Sequence, residues 1–202
     1  MVTELTKGQN TALTAGRVLV TVGVALPVDP SALLVGASGS VRSDADFIFY
    51  NQPDGPGVRL RPGTDGRQTG IEVDVAAVPS EIERVRIVAS LDGSGQRFGQ
   101  VPAPVAEVLD AGTGTPLARY VVTGLDTETS RVAVALYPRA GAWKVWAVGQ
   151  GYAGGLADLI TDHGVVVDGG PAAAPPPRMG IPPHQGPPPA QPVAPPPVAP
   201  PV

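Results

Sequence analysis

The run Gly149-Gln150-Gly151-Tyr152-Ala153-Gly154 fits the G-x-G-x-x-G pattern. In a strand–turn–helix setting such glycines let the backbone close on a pyrophosphate. A valine-rich segment precedes the run, a short helical pattern follows it, and Asp168 stands where a ribose-binding acid would. Three features oppose a dinucleotide site. The helix has room for about two turns, well short of a βαβ unit of ~30 residues. The segments upstream read as strands with no helices between them. Little chain remains downstream to extend a parallel sheet. The glycines are therefore read as backbone geometry, a close passage of the chain ahead of a packing helix.

Carboxylates offer a second chemistry. Asp29, Asp44, Asp46, Asp54, Asp65, Glu72 and Asp74 lie mostly in loops and strand ends of the first half. Ca²⁺ takes roughly six to eight oxygen ligands, and loops supply them readily. No EF-hand loop is present, and aspartate commonly opens turns by bonding nearby backbone groups. Spacing alone therefore favours turn chemistry and leaves calcium open.

Nucleophilic catalysis has little to stand on. There is no G-x-S-x-G elbow, P-loop, zinc spacing or H-E-x-x-H, and the absence of cysteine removes thiolate chemistry and disulfides. His184 falls in a proline-rich tail. His163 closes the predicted helix on its polar side, where a histidine favours the dipole. The expectation is a protein that is not an enzyme.

The formal net charge is −4, and lysines and arginines form no cluster along the chain. Arg59/Arg61 and Arg84/Arg86 are the densest basic spots, each a same-face pair on a strand and read as a solvated face. Nucleic acid is not an expected partner, because a polyanion needs a concentrated positive surface. The N-terminal residues lack a signal-peptide pattern. No apolar run approaches the ~20 residues that span a bilayer. A cytoplasmic protein without direct membrane insertion is expected.

The elements that must position these residues are short valine-rich runs. Apolar residues make up 43% and aromatics only 4%. A valine-built core favours sheet over helix, because a branched β-carbon packs well on a pleated surface. Strands are predicted over 17–26, 32–37, 46–51, 71–76, 82–91, 105–110, 117–123, 131–137 and 143–148. Val132, Val134 and Leu136 are placed on one face, as are Val85 and Ile87. Pro27 and Pro30 predict an irregular crossing around Asp29. Phe47 and Phe49 share a core face, with Tyr50 opposite. Trp143 and Trp146 fall on opposite faces, one toward the core and one at a rim. Turn chemistry at Asp54-Gly55, Asp65-Gly66, Asp92-Gly93 and Gly112-Thr113-Gly114 separates the runs. The fold class is all-β, an antiparallel sandwich of two facing sheets with one short C-terminal helix over 156–163.

Composition breaks near Gly169-Gly170. Fifteen of the 25 prolines lie in 171–202, where the missing donors and fixed φ forbid helix or sheet. Residues 1–170 are expected to form the domain. Residues 171–202 are expected to form a disordered polyproline II tail, a linker or a docking strip for a polyproline-binding partner.

Several segments, in order, resemble the TerD family of tellurium-resistance and general stress proteins. Leu5-Thr6-Lys7-Gly8-Gln9-Asn10 is similar to the family's opening. Asp29-Pro30-Ser31-Ala32 is similar to the end of its Asp-x-Asp-Ala-Ser-Ala run. Asp46-Phe47-Ile48-Phe49-Tyr50-Asn51-Gln52 is similar to its aromatic block. Phe98-Gly99-Gln100-Val101 and Trp143 through Tyr152 complete the set. The resemblance covers about 5–165. It implies a two-sheet sandwich, a cytoplasmic location, no established catalysis, protein partners in a membrane-associated stress complex, and two Ca²⁺ ions on acidic loops. It also implies the glycine run without a nucleotide fold. Asp29, Asp44, Asp46 and Asp65 are the ligands it carries over. Pro27 replaces the first aspartate of the family's Asp-x-Asp, and the family's acidic run is missing between Gly70 and Ile71. Since affinity follows ligand charge, at least one site is expected to be lost and the other weakened. The function expected is a stress-response binding or scaffold protein with a degenerate calcium site and no cofactor, or Ca²⁺ bound weakly. A Ca²⁺-sensing module whose loops are ordered by metal is the alternative.

Overall fold

The computed structural model describes residues 2–63, 68–91 and 95–165. The proline-rich tail expected over 171–202 lies outside the described residues, as does Asp65.

Among the described residues, thirteen strands form two sheets. The first sheet holds β1 (Thr3–Leu5), β3 (Arg17–Gly23), β6 (Asp54–Gly55), β7 (Val58–Arg61), β8 (Gly70–Asp74), β10 (Val105–Asp110) and β11 (Pro116–Val121). Its order is β1-β11-β10-β3-β8-β7-β6. The second holds β2 (Asn10–Ala12), β4 (Val28–Val35), β5 (Phe47–Ile48), β9 (Arg84–Leu91), β12 (Ser130–Arg139) and β13 (Ala142–Tyr152), in the order β2-β13-β12-β9-β4-β5. Every pairing is antiparallel except β1 with β11. One helix, α1 (Gly155–Asp162), packs on β12 and β13. This is the all-β sandwich with one short C-terminal helix that the sequence predicts.

Alternation builds two cores. Val18, Val20, Ile71, Val73, Val85, Ile87, Leu34 and Val108 fill the space between the sheets. Leu33, Val35, Phe47, Val88 and Val132 point the other way and form a smaller cluster with Leu159 and Ile160 of α1. Each strand of the second sheet is therefore apolar on both faces where the helix covers it.

Three expectations change on contact with the fold. Val132 does not share a face with Val134 and Leu136. A register shift between Val132 and Val134 reverses the parity, so Val132 lies under α1 while the other two face the opposite sheet. Pro30 causes no irregular crossing. It pairs in register with Ala89, and β5 reaches only Ala32 and Leu33, so at Pro30 the strand is an edge where a proline is tolerated. The strand predicted over 46–51 is shorter. A 3-10 turn, Asp44–Asp46, precedes β5, and a bridge joins Phe49 to Gln52. Gln52 Nε2 donates to the carbonyls of Asp44 and Phe47, which holds the chain in a tight reversal. Phe47 and Phe49 stack at 4.6 Å, and Tyr50 is 68% exposed.

Candidate functional site

The carboxylates expected to hold metal sit on two elements. Asp29 is exposed in β4, opposite Ser90. Asp44 is exposed in the 3-10 turn, whereas Asp46, two residues on, is buried. Asp46 is already partnered. Its Oδ2 accepts hydrogen bonds from the Arg42 backbone N–H at 3.0 Å and from Arg42 Nε at 2.8 Å, and its Oδ1 accepts from Arg42 Nη2 at 2.8 Å. Burial pushes the Asp46 carboxyl up, but the Arg42 hydrogen bonds and charge outweigh it and hold the group below the usual carboxylate range. The same contacts raise Arg42. Sequence reading missed this partner, although Arg42 stands four residues before Asp46.

Tested against a calcium cage, the described residues do not fit. An ion at Asp46 would have to displace a two-pronged guanidinium, a strong and directional contact. Among the described residues no three acidic or histidine side chains converge on one point. Asp29 instead lines a cavity of about 160 Å³ with Ser31, Ser90, Ser130, Tyr50 and Leu156. Ser130 Oγ donates to Ser90 Oγ at 2.8 Å. The Ser31 hydroxyl is buried and finds no partner among the described residues.

The glycine run is distributed over a strand and a helix start. Gly149 has a φ of +64° inside β13, at the bulge where Val148 and Gly149 stand against Ala133. A β-carbon there would meet Tyr120 Oη. The Gly149 carbonyl accepts from Arg131 Nη2 at 2.6 Å. Gly151 continues the strand opposite Arg131, and Gly154 caps α1. These glycines serve bulge and cap geometry, with the run ending in an eight-residue helix.

His163 is not the exposed dipole partner expected at the helix end. It is 1% exposed and fixed on both sides. Arg86 Nη1 lies 2.7 Å from Nε2, and Leu159 O lies 2.7 Å from Nδ1. A guanidinium can only donate, so Nε2 accepts and Nδ1 carries the proton, which it donates to Leu159 O. Burial, aided by the Arg86 charge, pushes the imidazole pKa down despite the Leu159 bond. Tyr152 Oη donates to Asp162 Oδ2 at 2.8 Å nearby, and burial plus that contact push the phenol up to about 12.

These features define a class: a helix-capped, two-sheet β-sandwich whose buried Asp46 is tied to Arg42 and whose glycine run shapes a bulge. The TerD domain family matches residues 1–163, and the chain belongs to that family. It is 38% identical over 149 residues to a tellurium resistance protein TerD of Serratia marcescens, covering 68% of this chain and 78% of that protein. It is 34% identical over 151 residues to general stress protein 16U of Bacillus subtilis, covering 69% of this chain and 78% of that one. A crystal structure of a TerD homologue from Streptomyces coelicolor superposes with a TM-score of 0.55 at 15% identity, over 72% of this chain and 95% of that chain, which speaks to the fold.

Proposed function

We propose that this chain is a non-catalytic binding or scaffold protein of the stress response, acting on other proteins in the cytoplasm, with a degenerate calcium site. Family membership supports the stress role, since relatives carry tellurium-resistance and general-stress names. The observation that carries the degenerate site is the Arg42–Asp46 pair, in which a side-chain cation already holds the one buried carboxylate among the described members of the set. His163 supports the non-catalytic reading: both ring nitrogens are engaged, so neither is free to take a substrate proton. No helix among the described residues is long and apolar enough to cross a membrane.

Two measurements test this reading. Loss of the gene should sensitise cells to tellurite or to a general stress such as heat or oxidant, with rescue by the full chain. Unchanged survival under all of them would end the stress reading. Calorimetric titration with Ca²⁺ should show weak heats or none. Two sites in the micromolar range or tighter would restore the metal-sensing alternative.

A further inference from the structure

Among the described residues, the outer face of the second sheet is covered by α1 at one end. At the other end the strands leave a shallow groove of about 290 Å³ lined by Gly8, Asn10, Arg84, Tyr137, Arg139 and Trp146. Lys144 stands directly opposite Tyr137 in the β12–β13 register. Arg86 lies one face-repeat from Arg84, and its guanidinium turns toward His163. Three separate parts of the chain thus place cations and two aromatic rings on one surface.

This surface gathers three unpaired cations; Lys7, Arg17, Arg86 and Arg97 also hold no ion pair among the described residues but do not line the groove. Arg42, Arg59, Arg61, Arg119 and Arg131 each sit in an ion pair. Arg84, Arg139 and Lys144 are in none among the described residues, and no carboxylate lines the groove. Cations without acids beside them keep their attraction for a ligand.

We propose that this groove binds an acidic segment of a protein partner; the inference rests on reading the chain as a binding protein. Guanidinium forks match carboxylates two bonds at a time. Tryptophan, tyrosine and arginine together are the side chains that carry most binding energy at protein interfaces. The half-buried ring of Trp146 offers an apolar platform for a large side chain set among the acids. A long uniform polyanion fits less well. The patch is local and the chain carries −4 overall, so phosphates beyond the groove would meet repulsion. A short segment with a few carboxylates around one apolar residue gains the attraction and avoids that cost.

The test uses the full chain and a synthetic decapeptide of aspartate and glutamate around a central phenylalanine, read by tryptophan fluorescence in a Trp143→Phe background. A saturable change that weakens with salt is expected. The double variant Arg84→Ala/Arg139→Ala should weaken it by about tenfold or more. The control Arg59→Ala/Arg61→Ala, whose arginines pair with Asp54 and Glu72 on the other sheet, should leave it unchanged. Absence of a saturable response, or equal loss in the control, overturns the proposal. So does tighter binding of an oligothymidylate of the same length, which would assign the groove to nucleic acid. Gene rescue under stress makes no reference to this surface. Failed peptide binding with rescue intact would therefore remove the groove and leave the scaffold reading standing.

Discussion

Strands β9, β12 and β13 each run through two different surfaces on one face of their sheet. At the end near α1, Val88 and Val132 are buried beneath Leu159 and Ile160. At the other end, Arg84, Tyr137 and Trp146 face outward around an open groove. The same backbone ladder supports both, so the difference lies in what covers it. An eight-residue helix is about 12 Å long, enough to roof one half of these strands. Where the roof stops, the side chains change from valine and leucine to arginine and aromatics. Stability is therefore expected to reside in the covered half and recognition in the open half.

The largest effect is expected under the roof. Leu159 is fully buried between α1 and the sheet. Leu159→Ala should cost about 3 kcal/mol, the lost burial plus the cavity left behind. Trp146→Ala in the open half should cost less than about 1 kcal/mol, since the ring is only partly buried. Urea melts of the two variants measure the contrast directly, and equal costs would erase it.

The bulge that separates the two halves comes next. Gly149 at φ +64° lets β13 carry one extra residue against Ala133, and the shift sends Val132 to the helix side. Gly149→Ala should cost about 2 kcal/mol, because a non-glycine residue is strained in that conformation. The added carbon also meets Tyr120. A melting temperature unchanged by this substitution would show that the bulge tolerates a side chain and does not fix the parity.

His163 marks the seam and gives a smaller, pH-dependent effect. Its neighbours are Arg86 on β9, Tyr152 on β13 and Asp162 on α1. With its folded pKa pushed down, the unfolded chain binds the extra proton first. Stability is therefore full above the unfolded histidine value of about 6.5 and falls as the pH drops below it. Asp46, Asp110 and Glu128, all lowered on folding, add their own losses only below about pH 4.5. Among the described groups with a resolved shift, His163 is the one whose loss begins in the window between the two. Thermal melts from neutral to mildly acid pH should show this slope, and His163→Gln should flatten it. A slope that survives the substitution would place the titrating group elsewhere.

Much of the sandwich was legible in the sequence, and the reasons are local. Alternation in 105–110 and 84–91 follows from side chains pointing to opposite faces of a pleat, which needs no knowledge of partners. The two-residue strands and the short β1 and β2 were not legible, because so few residues show no period. Val132 falls on the other face from the one its alternation predicts because a bulge inverts parity, and the signal, a glycine inside the next strand, reads in sequence as a close passage ahead of the helix. At the carboxylates, residue types alone could not show that Asp46 turns inward onto Arg42 while Asp44, two positions away, stays in solvent. The open groove was hidden for another reason. A search for basic clusters in sequence finds Arg84 beside Arg86 and reads a solvated face, because Arg139 and Trp146 lie far along the chain from it. Pairing of β9, β12 and β13 brings them together.

The smallest stability effect is expected from the double change Arg84→Ala/Arg139→Ala, and its smallness is what gives it value. Both arginines are exposed and hold no ion pair among the described residues. Removing them takes away no buried contact and leaves no buried charge alone, so the melt should move by no more than about 0.5 kcal/mol. Removing two cations from one surface also lifts their mutual repulsion, which pushes the change toward stabilisation. Arg42→Ala supplies the opposite case. It strips the partner from a buried carboxylate and should cost about 2 kcal/mol, less than a fully buried pair because Arg42 itself is exposed to water. Chemical denaturation of the two variants side by side would distinguish an arginine that holds the fold from arginines that are free to hold something else. A loss from the double variant comparable with that from Arg42→Ala would mean the groove arginines are structural, and the open half would join the covered half as part of the scaffold.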